Sequence, residues 1–174
     1  TKRWEIFGNY QLPFKENVML SFSANTHHQN SVYGNIPFNA DQNILFGQLT
    51  WNKQIGRHDL LAGLAYRYTY YDDNTTATVD YGNAGTNEPM HTNLPGVFLQ
   101  DEVYINDQNK VLLGIRYDHN SLHGSILTPR VNYKWTSKNQ HDILRLSFGT
   151  GYRVANVFTE DHAALTGARD VIFV

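Results

Sequence analysis

The feature that most constrains this chain is a strict two-residue alternation of apolar and polar side chains, in segments of about nine to eleven residues broken by Pro, Gly, Asn and Asp clusters. Such alternation gives an extended segment one apolar and one wet face, and that pattern fits a strand rather than a helix. Eight segments carry it. In 3–12, Trp4, Ile6, Tyr10 and Leu12 oppose Arg3, Glu5, Asn9 and Gln11; in 18–26, Val18, Leu20, Phe22 and Ala24 oppose Ser21, Ser23 and Asn25. In 44–52, Leu45, Gly47, Leu49 and Trp51 share a face, as do Leu60, Ala62, Leu64, Tyr66, Tyr68 and Tyr70 in 60–71. Segments 97–105, 111–118, 130–136 and 143–153 repeat the scheme, with Asp101 standing unexplained on an otherwise apolar face.

Segments of this length match what a tilted strand needs to cross a bilayer. Composition agrees: aromatics reach 13%, while charged residues stand at 17%, below the roughly 25% of soluble domains. No run approaches the about 18 apolar residues of a spanning helix, so a membrane role has to use strands. The net charge of -2 and the lack of Lys/Arg clusters argue against a nucleic-acid surface. With no cysteine there is neither a disulfide scaffold nor a thiolate metal site. Nucleophile elbows, phosphate-cradling loops and paired-carboxylate constellations are missing, so the chain does not read as an enzyme and calls for no cofactor.

The joints between segments alternate short and long: short near 13–17, long at 27–43, short at 53–59, longest at 72–95, then short at 106–110 and 136–142 around a modest loop at 119–127. Outer-membrane barrels place short turns in the periplasm and long loops outside, which gives every strand a direction. Outward-facing Tyr10, Trp51 and Trp135 then fall near periplasmic ends, and Tyr68, Tyr117 and Tyr152 near outer ends. Two aromatic girdles are the expected result of that assignment. The eight histidines include His27 and His28, adjacent and pointing to opposite faces, and no spacing makes a compact metal-ligand set. Ligand capture falls to the outer loops, through Tyr81, Met90, His91, His119 and His123. Glu102, Arg116, Asp118, Arg130, Arg145 and Arg153 belong to the wet face. Their guanidinium groups either pair with Glu102 and Asp118 or meet an anionic ligand.

With these directions both chain ends lie outside, whereas complete barrels normally keep both in the periplasm. The chain is therefore expected to be one part of a larger barrel.

Four stretches carry a family resemblance. Gly114-Ile115-Arg116-Tyr117-Asp118, the preceding Phe98-Leu99-Gln100-Asp101-Glu102, the following Thr128-Pro129-Arg130 with Tyr133, and Gly149-Thr150-Gly151-Tyr152-Arg153 resemble, in order, successive barrel strands of TonB-dependent receptors. The last continues through Val157-Phe158-Thr159-Glu160, and Val154-Ala155 replaces that family's usual Ala-Pro. The resemblance implies an all-β, antiparallel transmembrane barrel of about 22 strands in the bacterial outer membrane, of which this chain holds about eight. It also implies a lumen plug absent from residues 1–174, with which wet-face arginines would pair, and energy from a TonB complex. The cargo would be a scarce large nutrient such as a ferric siderophore, haem, cobalamin or another metal chelate. Outer-membrane lipid, the plug, the TonB complex and a metal-chelate ligand are the expected partners. Two other readings remain: a self-contained small outer-membrane barrel with a structural, adhesive or lipid-modifying role, and a soluble ligand-binding barrel whose apolar face would point inward.

Overall fold

The computed structural model describes residues 1–80 and 85–153. Its strands are β1 (Lys2–Gln11), β2 (Asn17–Tyr33), β3 (Ile36–Ile55), β4 (His58–Asp73), β5 (Val79–Asp80), β6 (Thr86–Asn87), β7 (Met90–Tyr104), β8 (Asn109–Asn120), β9 (Gly124–Thr136) and β10 (Ile143–Gly149). Eight of them form one antiparallel meander in the order β1-β2-β3-β4-β7-β8-β9-β10, and β5 with β6 makes a separate two-residue ribbon. All eight expected strands are present in the expected succession. Among the described residues β1 and β10 do not pair with each other, so the sheet is open.

Burial runs opposite to that of a soluble sheet. Tyr117 is 43% exposed and Asp118, the next residue, 1%; Leu64 is 58% exposed and Ala65 7%. Leu45, Val97, Leu99, Ile115, Leu127 and Val131 are likewise exposed on the apolar face. In water each would forfeit the roughly 1.5–3 kcal/mol that burying such a side chain contributes. Hydrocarbon recovers it. The buried apolar cluster among the described residues lies elsewhere, beyond the strands' membrane-length span: Phe38, Ala40 and Tyr71, flanked by Tyr33 and Ala77.

Cross-strand register gives a strand tilt once the two outward tryptophans are taken to share one membrane level. Trp51 shares a row with Ala62, Leu99, Ile115 and Pro129, and Trp135 lies six residues beyond Pro129 on β9. If both tryptophans mark one membrane level, four strand spacings of ~4.8 Å against six residues of ~3.3 Å put the strands at about 45° to the barrel axis. That is the tilt typical of outer-membrane strands.

Four expectations are corrected. The stretch 27–43 is not a loop: β2 and β3 run on, 17 and 20 residues long, to a two-residue turn at Gly34-Asn35. Gly34 has φ +64° and its partner residue does not turn positive, the arrangement of a Gly-first hairpin turn. Apolar alternation is lost there because strands beyond the hydrocarbon need none; polar cross-strand pairs such as His28 Nδ1 with Asp41 Oδ1 (2.6 Å) take its place. The joint at 53–59 shrinks to Gly56-Arg57, and the 72–95 loop to residues 74–89. The last strand is also corrected: it ends at Gly149 rather than 153, where pairing with β9 stops at Arg130.

The 74–89 connection is docked at its start. Asn74 accepts from Asn39 N through Oδ1 (2.7 Å) and donates to Pro37 O (3.0 Å). Buried Asp73 accepts from Tyr71 Oη (2.7 Å), Thr75 N (2.8 Å) and Thr75 Oγ1 (2.7 Å). Phe38, Ala40 and Tyr71 all stand on the wet side of their strands, so this loop start packs against the inner face.

Leu99 and Gln100 are neighbours on opposite faces of β7. Leu99→Arg, lying between the rim and the midplane, is expected to destabilise the barrel in lipid vesicles by about 1–3 kcal/mol, and Gln100→Arg to change little, as read by urea titration. Equal losses at both positions would contradict the face assignment.

Candidate functional site

The polar face carries the chemistry. Arg116 donates through Nε to Asp118 Oδ2 (2.7 Å) and through Nη2 to Asp118 Oδ1 (2.6 Å), a forked charge-assisted pair two residues apart on β8. It lies on Gly96, the cross-strand neighbour of Asp118, where an added Cβ would collide with Asp118 Oδ1. Glycine there leaves room for the pair to lie flat; a side chain would displace the ends of Asp118 and Arg116, and backbone angle plays no part. Phe98 covers Gly63, where an added Cβ would collide with the ring and stand 2.7 Å from the backbone oxygen of Leu49, so glycine is needed there. Arg116 then sits 5.7 Å from the Phe98 ring centroid, and Arg67 5.8 Å from that of Phe46. Glycine, ring, guanidinium and carboxylate thus tile this wall flat.

Further along, Lys110 Nζ donates to Glu102 Oε1 (3.2 Å) and lies 4.0 Å from the Tyr104 ring centroid. Arg130 faces Gly114 on one side and Gly149 on the other. Arg145 is exposed on β10, and Arg153 lies beyond that strand's end.

The rims explain Asp101. At the tilt derived above, the level of Trp51 crosses β7 within a residue of Asp101. Its carboxylate therefore sits in the headgroup zone, not in hydrocarbon, and pairs with His58 Nδ1 (2.7 Å). Alternation alone could not reveal this, because membrane depth depends on tilt. The same rim ties the β1–β2 turn to β3: Glu16 accepts from Lys53 Nζ (2.7 Å) and Trp51 Nε1 (3.1 Å). At the other end Tyr68 Oη lies 2.8 Å from His91 Nδ1, Tyr66 Oη donates to Asn93 Oδ1 (2.6 Å), and Tyr117 Oη pairs with Ser125 Oγ (2.8 Å). Each ring has an apolar body and a satisfied polar tip, as interfacial aromatics do.

The model of the family described as TonB dependent receptor-like, beta-barrel matches residues 2–167. The chain belongs to that family. Two solved structures share the fold of this receptor barrel. The siderophore receptor PirA from Pseudomonas aeruginosa aligns with a TM-score of 0.64 at 13% identity, over 90% of this chain and 28% of that one. PirA from Acinetobacter baumannii aligns with a TM-score of 0.61 at 16% identity, over 84% and 24% respectively. The chain thus spans about a quarter of the length of these receptors. No curated protein sequence matches it.

In the receptor barrel the residues expected at the ligand do not come together. Met90 is on the inner face, opposite Tyr71, whereas His91 and His119 stand on the apolar-face side of their strands and His123 lies in the β8–β9 turn. Tyr81 and the motif residues 154–160 lie outside the described residues. No group of three His, Cys, Asp or Glu with metal-binding geometry occurs among the described residues. Tyr10, Trp51, Trp135, Tyr68 and Tyr117 stand on the apolar face. Tyr152 departs from the girdle, because the strand has ended and its electrostatic neighbours are Asp118, Arg116 and Arg67 of the inner wall. The apolar face also carries an open hollow of about 930 Å³, with Phe14, Val18, Trp51, Ala62, Leu99 and Ile115 in its lining. So apolar a lining suits acyl chains, not a hydrophilic chelate.

Hydrogen bonds from Lys53 and then Trp51 hold the Glu16 carboxyl below the usual carboxylate range. Because the folded value is the lower one, this contact contributes fully above the ordinary range and is lost as pH falls through the depressed value. The stability gap between the parent chain and Glu16→Gln is therefore expected to stay constant near neutrality and close in acid; a gap that persists in strong acid argues against the contact. Asp118→Ala leaves the half-buried Arg116 without its partner and is expected to cost about 1–3 kcal/mol in urea titration.

Proposed function

We propose that this chain forms part of the wall of an outer-membrane receptor that takes up a scarce, large metal chelate, with a ferric siderophore the first candidate. The observation that carries the reading is the inverted sheet, apolar outside and hydrogen-bonded polar inside, in a chain of the TonB-dependent receptor barrel family. That both structural neighbours are siderophore receptors favours that cargo over haem or cobalamin. A wall tiled with Arg–Asp and Lys–Glu pairs suits a wet lumen holding a plug, which would come from polypeptide outside residues 1–174. Energy would come through a TonB complex contacting that same polypeptide. The inner-face Met90 and the docked loop start at Asp73 and Asn74 would line the outer vestibule, where cargo first binds.

The test is uptake by cells whose only receptor is the full-length protein. A panel of radiolabelled ferric siderophores is expected to include one accumulated in a manner that needs both the receptor and TonB. Accumulation of haem or cobalamin but of no ferric siderophore would overturn the cargo, and uptake indifferent to TonB would overturn the mechanism.

A further inference from the structure

We infer that the lipid face of β3, β4, β7 and β8 carries a defined site for one ethanolamine phospholipid of the periplasmic leaflet. Its acyl chains lie in the apolar hollow and its headgroup sits on the rim between Lys53 and Asp101. The inference rests on this face meeting lipid and does not depend on the cargo.

The hollow follows from how its neighbours are held. Ala62 is the small member of its row, set between Trp51 and Leu99. The Trp51 ring is drawn away from it, because Nε1 donates to Glu16 Oε2 (3.1 Å) in the β1–β2 turn, on the side of β3 away from β4. That leaves a floor at Ala62 with Leu64, Leu99 and Ile115 around it, in a hollow of about 930 Å³.

Its depth matches one leaflet. Leu127, at the far end of the lining, stands eight residues before the rim residue Trp135 on β9. At ~3.3 Å per residue and the 45° tilt derived above, Leu127 lies about 19 Å in from the rim, just past the midplane of a hydrocarbon core about 30 Å thick. The near end is lined by Phe14, an exposed ring in the β1–β2 turn at the periplasmic rim. A hollow that opens at that rim and closes near the midplane takes chains anchored in the periplasmic leaflet.

The mouth carries both signs of charge. Lys53, Leu60 and Asp101 form one row, so Lys53 and Asp101 are two strand spacings, about 10 Å, apart. Both have outward parity. Lys53 Nζ gives one N–H to Glu16 Oε1 (2.7 Å) and keeps two for an anionic oxygen. Asp101 takes His58 at Oδ2, while its Oδ1 is buried without a donor among the described residues. A buried acceptor left in that state is costly. A phosphate with a primary ammonium a few atoms away answers both needs, the phosphate on Lys53 and the ammonium on Asp101. A purely anionic headgroup would instead oppose Asp101 and Glu16.

The test uses the full-length receptor in mild detergent, without cargo, read by native mass spectrometry after adding dioleoyl phosphatidylethanolamine or dioleoyl phosphatidylglycerol at equal mole ratio. One ethanolamine lipid is expected to survive activation that strips all others, retained about tenfold better than the glycerol lipid, the ratio set by a charge-assisted hydrogen bond. Ala62→Trp, which fills the floor, and Lys53→Gln/Asp101→Asn, which neutralises the mouth, should each abolish that preference. Ala24→Trp, on the lipid face of β2 outside the hollow, should not, and heat-modifiable mobility shows that each variant folds. Equal retention of the two lipids by the parent receptor, or equal loss in Ala24→Trp and Ala62→Trp, would overturn the inference. A receptor that takes up its chelate but shows no ethanolamine preference fails here alone.

Discussion

Everything in this chain depends on the unbroken ladder of main-chain hydrogen bonds between neighbouring strands. Hydrocarbon offers no partner to an amide or carbonyl, so a chain that meets lipid must satisfy each of these groups internally. Eight strands in sequence order do this between neighbours, pairing residue by residue from β1 to β10, with the outer edges of those two strands left open among the described residues. Once the ladder is fixed, the side-chain period of two decides the rest. One face meets lipid and must be apolar, and the other lines the lumen and can be charged.

The ladder also explains why so few glycines matter and why those few do. On the inner wall, Gly96 and Gly63 let the Arg116–Asp118 pair and the Phe98 ring lie flat against the sheet. A bulkier residue at either position would push charge and ring into the lumen. On the rims, the tilt inferred from Trp51 and Trp135 converts sequence position into depth, and charges that look misplaced on an apolar face fall into the headgroup zone. Asp101 with His58, and Glu16 with Lys53, are the two examples.

The number, order and facing of the strands were legible in the sequence because lipid enforces alternation. Where lipid is absent the signal fades. Residues 27–33 and 36–43 pair as strand yet carry polar residues on both faces, so alternation read them as loop. Tyr152 was misassigned because Gly149-Thr150-Gly151 continues the count but not the strand. Of the inner-wall pairs, Arg116 with Asp118 follows the expected arginine–carboxylate pairing, whereas Glu102 takes Lys110 rather than an arginine. The resting place of Arg116 and Asp118 on Gly96 was not legible, since close approach across strands needs register, which sequence spacing alone leaves open. The loop histidines scattered over both faces for the same reason.

The most direct test of which face meets lipid is a nitroxide scan of β7 from Val97 to Glu102 in the full receptor reconstituted in vesicles, comparing accessibility to oxygen with that to a water-soluble nickel chelate. Odd positions 97 and 99 should favour oxygen and even positions 98, 100 and 102 should not, with the oxygen preference falling off at 101 as the periplasmic rim is reached. The opposite phase, or no alternation, would contradict the account.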